Sequence, residues 1–366
     1  MPTMPLSLMV TEGFEQVVYG HDADVGLRAI VAIHSTVLGP ALGGTRFWPY
    51  HDEGQALVDV CRLARGMTYK HAAAGLGQGG GKAVIIGDPA RLRSDELVLA
   101  YGRLVDGLGG RYITAEDVGT TQADMDLVRT VTRHVTGVSE HLGGSGDPSP
   151  ATALGVLWGM RAVATRLWGS RELAGRHVCI AGVGKVGSAL ADHLHAEGAR
   201  LTVADVRPEA VAAVVERTGA TEVTADAAHA VQCDLYAPCA LGGALSVTTI
   251  GELRCAAVVG SANNQLATPQ DAQRIHDSGV LYAPDYVVNA GGVINIAEER
   301  HGYDRARAEQ RIRGIHDTVL EVLDLADAER CTTAAAADRV AERRIDAARR
   351  AARVRPPGDL TATAGM

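Results

Sequence analysis

Over residues 52–69 the apolar positions Ala56, Leu57, Val60, Leu63, Ala64 and Met67 recur three and four apart. That spacing predicts an amphipathic helix with one face in a core. Residues 27–35 are a short apolar run and predict a strand, with His21-Asp22-Ala23-Asp24 as the hairpin turn from an earlier strand near residues 16–19. Residues 82–86 and 112–114, each after a glycine-rich stretch, predict two more strands.

Asp147-Pro148-Ser149-Pro150 then breaks the pattern. Each proline biases its predecessor away from helix, while Ser149 and Pro150 make a good N-cap and first helical position. A domain boundary is expected between residues 148 and 149, followed by a helix to about residue 167. After it the chain alternates: strand 177–181, helix 185–197, strand 201–204, helix 209–217, then short strands at 234–236, 257–259 and 280–282. Such alternation predicts a doubly wound parallel sheet covered on both faces, so the fold class is α/β with two domains. Residues 304–350 are charged and helical in character, and 353–366 are expected to form a flexible tail.

A length of 366 residues fits about two domains. Charged residues at 21% and hydrophobic residues at 46% exclude wholesale disorder. A net charge of −8 without a basic cluster disfavours nucleic acid as a partner. No apolar run is long enough to span a membrane, and the first ten residues lack the charged start of a secretion signal. A cytoplasmic location is expected, with no membrane partner. The six cysteines form no CxxC pair and no metal-ligand cluster is visible, so no metal is expected. Cys179, Cys233 and Cys255, in or beside apolar runs, read as small buried hydrophobes.

Gly182-Val183-Gly184-Lys185-Val186-Gly187 is a GxGxxG that follows a predicted strand and opens a helix. The first glycine permits the turn, the second lets backbone approach a pyrophosphate, and the third lets helix and strand pack. Asp205 ends the next strand, where an acidic side chain holds ribose hydroxyls. Its charge would repel a 2′-phosphate and favours NAD over NADP, a preference moderated by Arg207.

Residues 75–83 imitate a phosphate-binding P-loop, but Leu76 occupies a required glycine position and Ala83 stands where a Mg²⁺-binding hydroxyl belongs. Lys82 is better read as an amine at the tip of a flexible glycine run, aimed into a cleft, where desolvation or a neighbouring cation such as Lys70 would let it act as a base.

Five separated motifs now stand in order: Pro40-Ala41-Leu42-Gly43-Gly44-Thr45-Arg46, Gly66-Met67-Thr68-Tyr69-Lys70, Gly79-Gly80-Gly81-Lys82, Thr114-Ala115-Glu116-Asp117-Val118-Gly119-Thr120, and Asn289-Ala290-Gly291-Gly292-Val293-Ile294-Asn295. With them the chain resembles the glutamate/leucine/phenylalanine/valine dehydrogenase family over residues 39–344. Within it, residues 181–187 and 239–245 most resemble the branched-chain enzymes. The resemblance implies reversible, NAD-dependent oxidative deamination of an L-amino acid to a 2-oxo acid and ammonia. It implies that residues 1–148 bind substrate and build a homo-oligomer, that 149–329 form a Rossmann NAD-binding domain, and that helices of about 330–352 return to the first.

Carried over residue by residue, the resemblance gives Lys70 the substrate carboxylate, assisted by the backbone of Gly43 and Gly44. Lys82 becomes the general base that activates water, and Asp117 the group that exchanges protons with the amine. Asn263, Asn289 and Thr152 join the fingerprint as cofactor residues. The positions that match the side-chain pocket are Leu42, Met67, Ala115, Val293 and Ile296, all apolar. A glutamate side chain would have no partner there, which costs several kcal/mol. Val293 disfavours a phenylalanine-type enzyme and Ile296 leans toward valine without deciding. A hydroxy-acid dehydrogenase would share the fingerprint but relies on a His–carboxylate pair. A non-catalytic NAD sensor would not need Lys70, Lys82 and Asp117, and an amine dehydrogenase would lack Lys70.

Overall fold

The computed structural model describes residues 5–354. The tail expected at 353–366 therefore lies outside the described residues from 355 on, while 353 and 354 close the last helix, Thr333–Val354. The chain divides into two compact units, one of the residues up to Leu142 with those from Arg339, the other Gly143–Asp338. The first division thus follows Leu142, where the proline-rich segment had pointed to residue 148.

In the first unit, α1 (Pro5–Glu12) precedes a five-stranded sheet of β1 (Gln16–Asp22), β2 (Leu27–Ser35), β3 (Ala41–Trp48), β4 (Gly79–Ile86) and β5 (Tyr112–Glu116), in the order β1-β2-β4-β3-β5. β1 and β4 run antiparallel to β2, and β3 runs parallel to both β4 and β5. Alternate residues of β2 serve two cores, as the period of a strand requires. Ala29, Val31 and Ile33 pack with Leu97, Tyr101 and Val105 of the helix Asp95–Asp106. Ile30 and Ala32 pack on the other face with Ala56, Leu57, Val60 and Ala64 of α2 (Glu53–Ala73).

α2 starts where the periodicity places it, with the Asp52 carboxylate accepting from the Gln55 N–H. It runs one turn further than expected, through Lys70 to Ala73. The C-terminal helix explains the extension: the Arg344 guanidinium donates to the carbonyls of Ala72 and Ala73, and Ala341 and Ile345 pack on Ala72.

The second unit holds a parallel sheet of β6 (His177–Ala181), β7 (Arg200–Ala204), β8 (Thr221–Glu222), β9 (Leu235–Pro238), β10 (Ala257–Val258) and β11 (Leu281–Tyr282). Its order is β11-β10-β9-β6-β7-β8, the doubly wound arrangement whose direction of winding reverses between β6 and β9. The helix Ser149–Trp168 starts one residue earlier than a Ser149 cap would give: Pro148 is the N-cap, and the Asp147 carboxylate accepts the Ser149 N–H at 2.9 Å. No described helix is long and apolar enough to cross a membrane.

Candidate active site and dinucleotide site

Because β3, β4 and β5 are adjacent and parallel, Thr45 pairs with Ala83 on one side and Glu116 on the other. Arg46, Lys82 and Asp117 each stand one residue from that row. Lys82 Nζ lies 3.2 Å from Asp117 Oδ2, with the Lys82 side chain 7% exposed and that of Asp117 24%. Arg46 Nε donates to the same oxygen at 3.1 Å. Burial pushes the Asp117 carboxyl up, but the Lys82 ammonium and Arg46 guanidinium outweigh it and hold it below the usual carboxylate range.

The glycines around this pair are packing requirements. A Cβ on Gly43 would fall 1.8 Å from the Gly81 oxygen, one on Gly44 2.4 Å from the Glu116 oxygen, and one on Gly80 2.1 Å from the Thr68 nitrogen. The run before Lys82 is therefore not the flexible tip expected from its composition. Every residue from Gly79 to Ile86 is a buried strand residue, since only glycine lets α2 and the neighbouring strands approach so closely.

Beneath it, Tyr112 donates to the Gly43 carbonyl at 2.6 Å, and the hydroxyls of Thr45, Tyr101 and Thr114 form a buried cluster. Lys70 occupies the half-buried last turn of α2, where the helix dipole favours a cation. Leu42 and Ala115 are buried, and Met67 lies 3.4 Å from the space a Gly43 Cβ would fill. Leu42, Gly43, Gly44, Met67, Lys82, Ala115 and Asp117 are thus gathered where β3, β4, β5 and α2 meet. The roles of Arg46 and Tyr112 were missed; Arg46 stood inside a quoted motif, but only the strand pairing shows what it touches.

In the second unit the fingerprint lies at the carboxyl ends of β6 and β9, the switch point where open α/β sheets bind ligands. Gly182 (φ +101°) leaves no room for a Cβ, which would lie 2.6 Å from the Ala240 nitrogen, and a Gly187 Cβ would lie 1.9 Å from the Gly182 oxygen. At Gly184 the nearest protein atom to such a Cβ is Arg207 Nη2 at 3.7 Å, so that glycine leaves space open at the start of the helix Lys185–Ala196. Val186 follows in the first turn, and Lys185 pairs with Asp147 at 3.0 Å.

The Asp205 carboxylate accepts from the Val183 N–H at 2.8 Å and the Arg207 N–H at 3.0 Å. Burial opposes its ionisation, yet these N–H groups and the Arg207 charge keep its pKa low. Val206 and Leu241, 84% and 82% exposed, are large apolar groups beside the ends of β7 and β9 that composition did not single out.

Asn289 donates to Asn263 Oδ1 at 2.9 Å and to the Ser261 carbonyl, and its own Oδ1 is buried without a hydrogen-bond partner. Thr152 lies against the segment after Asn289, its hydroxyl 2.7 Å from where a Gly292 Cβ would stand. Val293 and Ile296 are half-buried on the helix Gly291–Glu298, whose Ile294 and Ala297 are buried. An open cradle at Gly184, an orphaned amide oxygen at Asn289 and exposed apolar side chains near Asp205 fit a dinucleotide.

Two family descriptions match the sequence. "Glu/Leu/Phe/Val dehydrogenase, dimerisation domain" matches residues 15–134, and "Glutamate/Leucine/Phenylalanine/Valine dehydrogenase" matches 143–219 and 203–353. Leucine dehydrogenase of Geobacillus stearothermophilus is 52% identical over 343 residues, covering 94% of each chain. Valine dehydrogenase of Streptomyces coelicolor is 54% identical over 340 residues, 92% of this chain and 93% of its own. The crystal structure of L-tryptophan dehydrogenase from Nostoc punctiforme superposes with a TM-score of 0.85 at 42% identity, covering 94% of this chain and 99% of that one.

Proposed function

Since the chain belongs to the glutamate/leucine/phenylalanine/valine dehydrogenase family, we propose that it catalyses reversible NAD-dependent oxidative deamination of a branched-chain L-amino acid. An amino acid, water and NAD give the 2-oxo acid, ammonium, NADH and a proton. The observation that carries this reading is the pairing of buried Lys82 with half-buried Asp117 beside the Gly43-Gly44 backbone. Leucine and valine dehydrogenases at 52% and 54% identity support the substrate class.

Bound NAD would supply the hydride acceptor. Gly182, Gly184, Gly187 and the helix start at Lys185 and Val186 would hold its pyrophosphate, Asp205 its ribose, and Asn263, Asn289 and Thr152 its nicotinamide end. The protein's own part is binding and proton movement. Lys70, with the backbone of Gly43 and Gly44, holds the substrate carboxylate. Lys82 takes a proton from water as it attacks the imine carbon, and Asp117 exchanges protons with the departing nitrogen. Leu42, Met67 and Ala115 in the first unit, and Val293 and Ile296 in the second, are all apolar, which suits selection of an aliphatic side chain. The first unit assembles the homo-oligomer, a reading supported by the dimerisation-domain match over 15–134.

An aromatic substrate is the second reading, favoured by the 42% identity with the tryptophan enzyme. NADH formation at alkaline pH with L-valine, L-leucine, L-isoleucine, L-phenylalanine, L-tryptophan and L-glutamate separates the two. Turnover confined to the aliphatic substrates is expected; turnover on the aromatic ones alone would replace the substrate assignment. Silence with all six while NADH still binds would overturn the reaction assignment.

A further inference from the structure

We propose that Arg46 is a positioning residue for the reaction: it holds Asp117 by Oδ2 and so presents Oδ1 to the substrate nitrogen. The inference rests on the dehydrogenase reading above. Lys82 Nζ and Arg46 Nε both converge on Oδ2, at 3.2 and 3.1 Å, and Oδ1 has no partner among the described residues. Arg46 is itself fixed. Its Nη1 donates to Asp59 Oδ2 at 2.8 Å, and Asp59 is held in turn by Tyr50 at 2.7 Å and Arg62 at 2.9 Å. A planar guanidinium can span two carboxylates in this way, where an ammonium acts as a point charge.

The groups facing Asp117 are few. Lys82 comes from β4 and Arg46 from β3, with Asp59 and Arg62 of α2 and Tyr50 behind the guanidinium; the uncharged Thr120 accepts the Asp117 N–H at 2.9 Å. Without Arg46, Lys82 would be the one cation on the carboxylate. An opposite charge at this range lowers a carboxyl pKa by about 1 to 3 units, so its loss raises the pH at which Asp117 becomes protonated.

The test is the acid limb of kcat/KM against pH for the best amino-acid substrate, in the wild type, Arg46→Gln and Arg46→Lys, with melting temperatures measured alongside. Arg46→Gln is expected to move the limb up by about one pH unit. Arg46→Lys restores its position while kcat stays reduced, because one ammonium cannot bridge Asp117 and Asp59. A purely structural tie between β3 and α2 would lower the melting temperature and leave the limb in place. A folded, active Arg46→Gln with the wild-type limb overturns the inference. If that variant is inactive or unfolded, Arg46→Lys decides: a limb displaced by a unit, or no activity in a folded protein, overturns it. A wild type silent with every amino acid fails the dehydrogenase reading itself, and the inference with it.

Discussion

His71 Nδ1 donates to the Gly79 carbonyl across 2.8 Å, and this bond ties the turn of α2 that carries Lys70 to the strand that carries Lys82. His71 is wholly buried. Desolvation, with the Lys70 charge adding to it and the Gly79 bond opposing, pushes its pKa from 6.5 down to about 4.

A pH dependence of stability follows from that shift. The unfolded chain takes up a proton at this residue below about 6.5, and the folded chain only below about 4. The neutral form therefore contributes stability that is fully present above pH 6.5 and is lost as pH falls toward 4, by up to about 3 kcal/mol. The melting temperature should fall across this window. In His71→Gln it should be lower at pH 7, from the altered packing, and fall less steeply on acidification. His34, likewise held down to about 4, keeps some slope in the variant. An unchanged slope would remove His71 from the account.

The fingerprint glycines separate fold from binding. A Cβ on Gly187 meets backbone at 1.9 Å, whereas one on Gly184 meets no protein atom nearer than 3.7 Å. Gly187→Ala should lose several kcal/mol of stability or fail to fold. Gly184→Ala should melt near the wild-type temperature yet bind NADH at least about tenfold more weakly, as read by fluorescence titration. Wild-type NADH affinity in Gly184→Ala would mean that the open space at this turn does not serve the pyrophosphate.

Cofactor choice is expected to turn on Asp205 and its neighbour. Arg207 Nε lies 3.4 Å from Asp205 Oδ1 with its side chain 56% exposed, so removing the carboxylate leaves a guanidinium where a 2′-phosphate would sit. In Asp205→Ala the ratio of kcat/KM for NADP over NAD should rise by at least about tenfold. The loop should also lose stability, since Val183 gives up its acceptor. A ratio that stays put would place ribose recognition elsewhere.

The second unit was the more legible in the sequence, because its strands are short apolar runs separated by helices that stop at or just before glycines such as Gly169, Gly198 and Gly219. The first unit hid two features for one reason. β3 passes through Gly43-Gly44 and β4 opens with Gly79-Gly80-Gly81, and glycine in a strand carries no pattern to read. Those glycines are explained by atoms distant in sequence, the Thr68 nitrogen and the Gly81 and Glu116 oxygens, which only the folded arrangement supplies. Arg46 was hidden likewise: its charge was visible, but its place on Asp117 depends on the order β4-β3-β5. Lys82 and Asp117 were found through their motifs, 35 residues apart in the chain and 3.2 Å apart in the fold.

The most direct test of the central claim is the turnover of Lys82→Ala with L-valine and NAD, set beside its NADH affinity. The fingerprint lies in the other unit, so NADH binding should match the wild type, while kcat falls by about 10² to 10⁴ from loss of the general base. A Lys82→Ala enzyme that binds NADH and still turns over within a few-fold of the wild type would contradict the assignment of Lys82 as that base.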